Sequence, residues 1–326
     1  MMNENKPYIL VFGVSIYDIF GFASNNYKSR DSNPGRVRVS YGGVCRNIAE
    51  NMARVGINLK FISIVGNDEK GRCILQHAEA LGIDMKDSLI VCEESTPTYM
   101  AIMNENGEME AAIVDLSITD KISEEFIDSK KDIITNSEYM VLGADNPRIM
   151  EYILTKYQGK TKFILDPVSS ARVQKISYLI KYFYTIKPNR QEAEVLCGFK
   201  IENTQDVRKA GKCLLDQGVK QVFISLDAEG IYYNNGQEEG IIKANHVPVV
   251  NVTGAGDSCV AGLGYGYMNG LSIVDMLKYS IAMSIITISH EETIHPNLNC
   301  AMVQTYIKNL DWTEIKFSSS SDGFDE

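Results

Sequence analysis

Short β-rich runs alternate with helical patterns along most of this chain, and that alternation restricts the fold more than any other feature. Tyr8–Val14, Asn58–Val65, Tyr139–Gly143, Lys162–Asp166 and Gln221–Leu226 read as strands. Asn47–Val55, Gly71–Leu81, Arg190–Cys197, Thr204–Gln217 and Asp257–Met268 read as helices. Such repetition builds βαβ units around a mostly parallel sheet. Right-handed crossovers put helices on both of its faces. The expected architecture is a three-layer α/β/α, Rossmann-like domain. With 326 residues, 44% of them hydrophobic, the chain fills a substantial core without a metal or disulfide staple.

Two regions break the pattern. Arg36–Tyr41 alternates with period 2, as does the stretch around Thr98–Met103, which runs through the turn Asn104-Glu105-Asn106-Gly107 into Met109–Val114. These are the marks of antiparallel strands with one face in water. They fit a small β-sheet lid; plain surface hairpins are the alternative. The division expected is a large domain of residues 1–14, 42–94 and 117–316, a lid of 15–41 and 95–116, and a polar tail of 317–326. Exposed edges of such a lid offer pairing sites for a second copy, so a homodimer through the lid is one option.

Net charge is −10, which disfavours nucleic acid and anionic membrane as partners. A small anionic cofactor is still compatible, since backbone dipoles bind phosphate on an acidic protein. The seven cysteines are scattered and form no C-x-x-C pair, which argues against a disulfide framework or a zinc site. Neither a signal peptide nor a membrane-length apolar run is evident, so a reducing cytoplasm is the expected location.

The strongest local signal is HVPVVNVTGAGDSCV, residues 246–260, read as an apolar strand entering Thr253-Gly254-Ala255-Gly256-Asp257 just before a helix. Glycines allow a tight turn whose free N–H groups converge, and the helix N-terminus adds partial positive charge. An aspartate inside such an anion hole suits phosphoryl transfer: the N–H groups stabilise the moving group while the carboxylate takes the acceptor proton. A simple helix cap is the bland alternative. No G-x-x-x-x-G-K-[ST] or protein-kinase signature is present. Asn189 with Glu192 three residues on reads as a capping box.

The T-G-A-G-D string resembles the C-terminal signature of the ribokinase-like PfkB carbohydrate kinases. The resemblance implies Asp257 as catalytic base, with Gly254, Ala255 and Gly256 as the anion hole. It carries the N-x-x-E motif onto Asn189 and Glu192, with Glu192 holding Mg2+ through water. Lys187, Asn189, Ser225, Gly230 and Thr253 would bind ATP, although Asp227 replaces a usual glycine. The adenine pocket is expected near Met283–Asn297. Asn251 stands where relatives often carry Asp for a monovalent cation, so K+ dependence is left open. The N-terminal G-G-x-x-x-N matches Gly42, Gly43 and Asn47, which with Asp18 would hold a sugar or nucleoside. The segments D-S-N-P-G, G-G-V-C-R-N-I-A, D-P-V-S, K-P-N-R and N-V-T-G-A-G-D together look like the bacterial pseudouridine kinases, which phosphorylate a 5′-hydroxyl. Asn33 and Thr98 are the lid residues expected to read the base. The alternative within the family is another sugar or nucleoside kinase, for ribose, adenosine or inosine; a sensing protein that kept the fold without catalysis is the alternative from another class.

Overall fold

A computed structural model describes residues 6–247 and 249–317. The expected tail, apart from Phe317, lies outside the described residues.

Among the described residues fifteen strands form three sheets: β1 (Ile9–Phe12), β2 (Ile16–Ala23), β3 (Gly35–Gly42), β4 (Leu59–Ile62), β5 (Ile64–Gly66), β6 (Leu89–Val91), β7 (Thr98–Met103), β8 (Met109–Asp115), β9 (Tyr139–Leu142), β10 (Lys162–Leu165), β11 (Thr185–Ile186), β12 (Gln221–Ser225), β13 (Ile231–Asn234), β14 (Glu239–Ala244) and β15 (Trp312–Lys316). The nine-stranded sheet runs β15-β14-β13-β12-β11-β10-β9-β1-β4. Its β4-to-β12 portion is parallel, and β13, β14 and β15 close it antiparallel.

Alternation along the parallel strands sends side chains to two separate cores. Leu10, Phe12, Met140 and Leu142 face the helices Pro147–Lys156, Arg190–Cys197 and Thr204–Asp216. Ile9, Val11, Tyr139 and Val141 face the helices Val44–Arg54, Ala255–Met268 and Ile273–Ile288. Both faces of the sheet are thus covered, which is why these strands read as continuous apolar runs. The result is the expected three-layer α/β/α domain.

Three sequence expectations are corrected. The run Asn58–Val65 is two strands: β4 stays in the large sheet, whereas β5 leaves at Ser63 to pair with β6. Ser63 marks the departure, its N–H bonded to the Ser88 hydroxyl and its carbonyl to the Leu89 N–H. The valine-rich approach to Thr253 is not a strand. The described residues between Ala244 and Gly254 are irregular, with Val249, Val250 and Val252 exposed and the chain tied back at Val250 and Asn251 to the Ile288 carbonyl. The helix expected from Asn47 begins three residues earlier, at Val44.

The second sheet has the order β3-β2-β7-β8. Pairing of Asp18 with Ser40 and Tyr99, and of Phe20 with Arg38 and Ala101, fixes what each face carries. One face bears Asp18, Phe20, Phe22 and Tyr99. The other bears Tyr17, Ile19, Val37, Val39, Thr98, Met100 and Ile113.

Candidate active site

The helix Ala255–Met268 starts at Gly254, whose φ of 82° is in the left-handed region, and no side chain caps it. Its first-turn N–H groups therefore lack intrahelical partners. A Cβ on Gly254 would collide with the Thr293 carbonyl, so both conformation and space require glycine there. Gly256 lies over the Lys187 ammonium and the Asp166 carboxylate, and a Cβ would narrow that gap. Ala255 accepts at its carbonyl from Ser284 Oγ at 2.9 Å. Asn251 closes the preceding loop, accepting from the Thr253 N–H at 3.0 Å and donating to the Glu291 carbonyl at 3.0 Å.

Asp257, in the first turn, is buried, and its carboxyl is pushed up to about 7 by that burial and then by Asp166. Two contacts oppose the rise: Asn47 Nδ2 donates to Asp257 Oδ2 at 2.8 Å, and Lys187 lies nearby. Lys187 is itself buried, 3.8 Å from Asp166. Burial pulls its ammonium down, yet Asp166, with Cys259, Glu192 and Asp257, outweighs that and leaves it above the usual lysine range. Asp166 comes from the end of β10, where the D-P-V-S segment turns with Val168 at φ 69°. That left-handed value is an outlier for a β-branched residue. Asp166 Oδ1 accepts the Val168 N–H at 3.1 Å and helps hold the turn. Asp166 was absent from the expected site. Its place at the C-terminal end of a parallel strand was the signal that could have found it.

Asn189 and Glu192 form a reciprocal capping box, at 2.9 and 2.8 Å. Glu192 is also buried, which raises its carboxyl above the ordinary range, and Asp166 adds to the rise, while the Asn189 N–H opposes it. Beside it, the Ser225 N–H donates to the Pro188 carbonyl at 3.0 Å, joining the two loop regions. Asp227, at the glycine-replacing position, has φ 50°, so the backbone keeps a conformation glycine would favour. Gly230 has φ 96° and sits against the Ile242 carbonyl. Its observed contact is with the neighbouring strand.

At the other end, Gly43 has φ 99° and approaches the Val14 carbonyl too closely for any Cβ. Gly42 leaves room for the Asp18 carboxylate, which is pushed up to about 6 by burial against the lowering effect of Arg46. Asn47, expected among the acceptor ligands, donates to Asp257. Thr98 lies on the sheet face opposite Asp18, accepting from Lys70 Nζ at 2.7 Å and donating to the Thr96 carbonyl at 2.8 Å. The residue beside Asp18 is Tyr99. Asn33 closes its own loop, bonded to Lys28 and Asp31. The aromatic residues that do share the face of Asp18 were not anticipated. Phe20 lies 5.9 Å from Tyr99 and 6.3 Å from Phe22, and the Arg38 guanidinium covers both phenylalanines at 5.7 and 5.6 Å.

The family model for pfkB carbohydrate kinases matches residues 6–300. The chain is 30% identical to the pseudouridine kinase of Escherichia coli over 310 residues, 94% of this chain and 99% of that one. A provisionally named sugar kinase from Clostridium perfringens is 54% identical, with a TM-score of 0.92 over 96% of this chain and 99% of its own. Arabidopsis thaliana ribokinase, solved with ribose and ATP, shares the fold at 20% identity, with a TM-score of 0.78 over 93% and 99% of the two chains. With its signature motifs converging on one buried charge cluster, the chain belongs to the pfkB family of carbohydrate kinases, which are ATP-dependent phosphotransferases acting on a sugar hydroxyl.

Proposed function

We propose that this enzyme transfers phosphate from MgATP to the 5′-hydroxyl of a nucleoside, with pseudouridine as the preferred acceptor and Asp257 as the base. The observation that carries the nucleoside reading is the aromatic face shared with Asp18. Asp18 is placed for hydroxyl groups near Gly42, and Phe20 and Tyr99 lie one step along and across the sheet, in reach of a planar base. A free sugar carries no planar base to lay on that surface. The similarity to a pseudouridine kinase across nearly the whole chain supports the narrower choice.

The first-turn N–H groups before Asp257 and the Lys187 ammonium suit a transferring phosphoryl group. Asp166, Glu192 and Asp257 place three buried carboxylates against one buried ammonium, an excess that favours a divalent cation. Among the described residues no three His, Cys, Asp or Glu side chains form a direct metal cage. Glu192 would hold Mg2+ through its waters, since the ion keeps much of its hydration. Bound magnesium would supply charge neutralisation at the phosphates.

Phe20→Ala is the test of the nucleoside surface. It should raise KM for pseudouridine about 5- to 150-fold, the range for losing one base–aromatic stack, while leaving ribose phosphorylation unchanged. Asp18→Ala should weaken both acceptors. Equal effects of Phe20→Ala on the two acceptors would contradict a base-binding face.

The four-stranded sheet serves as the lid in this reading, and its outer face as a dimer contact. Val37 is 74% exposed and Ile113 is 72% exposed, with Val39, Met100 and Ile102 between them. A contiguous apolar sheet face of this kind is stabilised by a matching face on a second copy. Sedimentation should show a dimer that Ile113→Lys converts to monomer; a monomeric wild type at micromolar concentration would reject the contact. All seven cysteines are free. Among the described residues no helix is long and apolar enough to cross a membrane.

A further inference from the structure

We infer that Arg46 is a positioning residue for the catalytic step, acting on Asp257 through the side-chain amide of Asn47. The inference rests on Asp257 being the base. Arg46 lies in the first turn of the Val44–Arg54 helix and is only 8% exposed. Its Nη1 donates to Asn47 Oδ1 at 3.3 Å and to the Tyr41 carbonyl at 2.9 Å. Its Nη2 pairs with Glu50 and lies 3.3 Å from His77 Nδ1. Glu50 is shared with Arg54 at 2.6 Å, so the pair is part of a wider charge network.

The chemistry of the guanidinium sets the direction of this chain of contacts. Arginine has only donors, so the Asn47 atom it touches has to be the amide oxygen. That leaves Nδ2 to point the other way, where it donates to Asp257 Oδ2 at 2.8 Å. A flipped Asn47 would set its carbonyl against the carboxylate and its N–H groups against the guanidinium. Asn47 is also only 8% exposed, so water has little access to relieve either clash. Arg46 therefore keeps Asn47 donating to Asp257, favouring the ionised carboxylate that accepts the substrate proton. The same guanidinium grips Tyr41 in β3, the strand leading from the small sheet into Gly42 and Gly43. One buried side chain thus joins the root of that sheet to the base.

A double-mutant cycle at saturating MgATP and pseudouridine tests this route. Arg46→Met and Asn47→Ala should each lower kcat about tenfold, the lower part of the range for a hydrogen bond to a charged group. The double variant should lose no more than Asn47→Ala alone. In each, the acid limb of the kcat profile should move to higher pH, since Asp257 loses a stabilising donor while Asp166, Lys187 and Cys45 stay around it. Multiplicative losses, an unchanged pH limb, or a change confined to KM or melting temperature would overturn the inference. Arg46→Lys guards against a folding failure: it keeps the charge beside Glu50 but lacks the fork to span Tyr41 and Asn47. Its kcat should fall in the wild-type background and stay level in the Asn47→Ala background; multiplicative losses there too would overturn the route. Full turnover by Asp257→Asn would instead remove the base assignment itself, so the two failures are distinguishable.

Discussion

Asp257→Asn should lower turnover by about 10²–10⁴-fold, the usual contribution of a general base, while nucleotide binding stays nearly intact. The substitution keeps the shape of the side chain and removes its ability to take a proton. Burial, then Asp166, pushes the Asp257 carboxyl up to about 7. A base acts when ionised, so wild-type turnover should rise with pH through about 7 and fall below it. The variant should lack that limb. Stability runs the other way. A carboxyl that holds its proton more tightly folded than unfolded gains stability as pH falls through about 7, and the ionised form costs the fold above it. Asp257→Asn should therefore melt no lower than wild type at pH 8. Near-normal turnover in the folded variant would contradict the assignment.

Acceptor choice carries the second large effect. Under the proposed function pseudouridine should be preferred over ribose because its base would stack on Phe20 and Tyr99, at about 1–3 kcal/mol for one stacked base. It should be preferred over uridine because it presents a ring N–H where uridine has a C–H. A buried acceptor group that reads this N–H is left unpaired by uridine, at about 1–3 kcal/mol. Each contribution corresponds to roughly 5- to 150-fold in kcat/KM. Asn33 is committed to its own loop and Thr98 lies on the sheet face opposite Asp18, so under the proposed function the reader of that N–H would lie on the face that carries Asp18. Register places the Ser40 side chain there, directly beside Asp18.

The parallel core was legible because its strands are buried on both faces and its helices follow a clear period. The sheet β3-β2-β7-β8 was legible in outline from the alternation of Arg36–Tyr41 and the Asn104–Gly107 turn. The antiparallel edge β13-β14-β15 was not, since β15 comes from the far end of the chain and pairs only through tertiary contact. The apolar run before Thr253 read as strand, but among the described residues Val249, Val250 and Val252 pair with no strand. Thr98 lies on the face opposite Asp18: with a side-chain period of two, it is the neighbouring Tyr99 that shares the face of Asp18. The contact of Asn47 with Asp257 spans 210 residues, a pairing that no local spacing reveals.

The most direct measurement of the central claim is kcat/KM with MgATP for pseudouridine, uridine, adenosine and ribose, read as mass-shifted phosphorylated product. The account predicts pseudouridine first, uridine lower by roughly 5- to 150-fold for the missing ring N–H, and ribose poor for want of a base. Ribose or adenosine phosphorylated as efficiently as pseudouridine would contradict it.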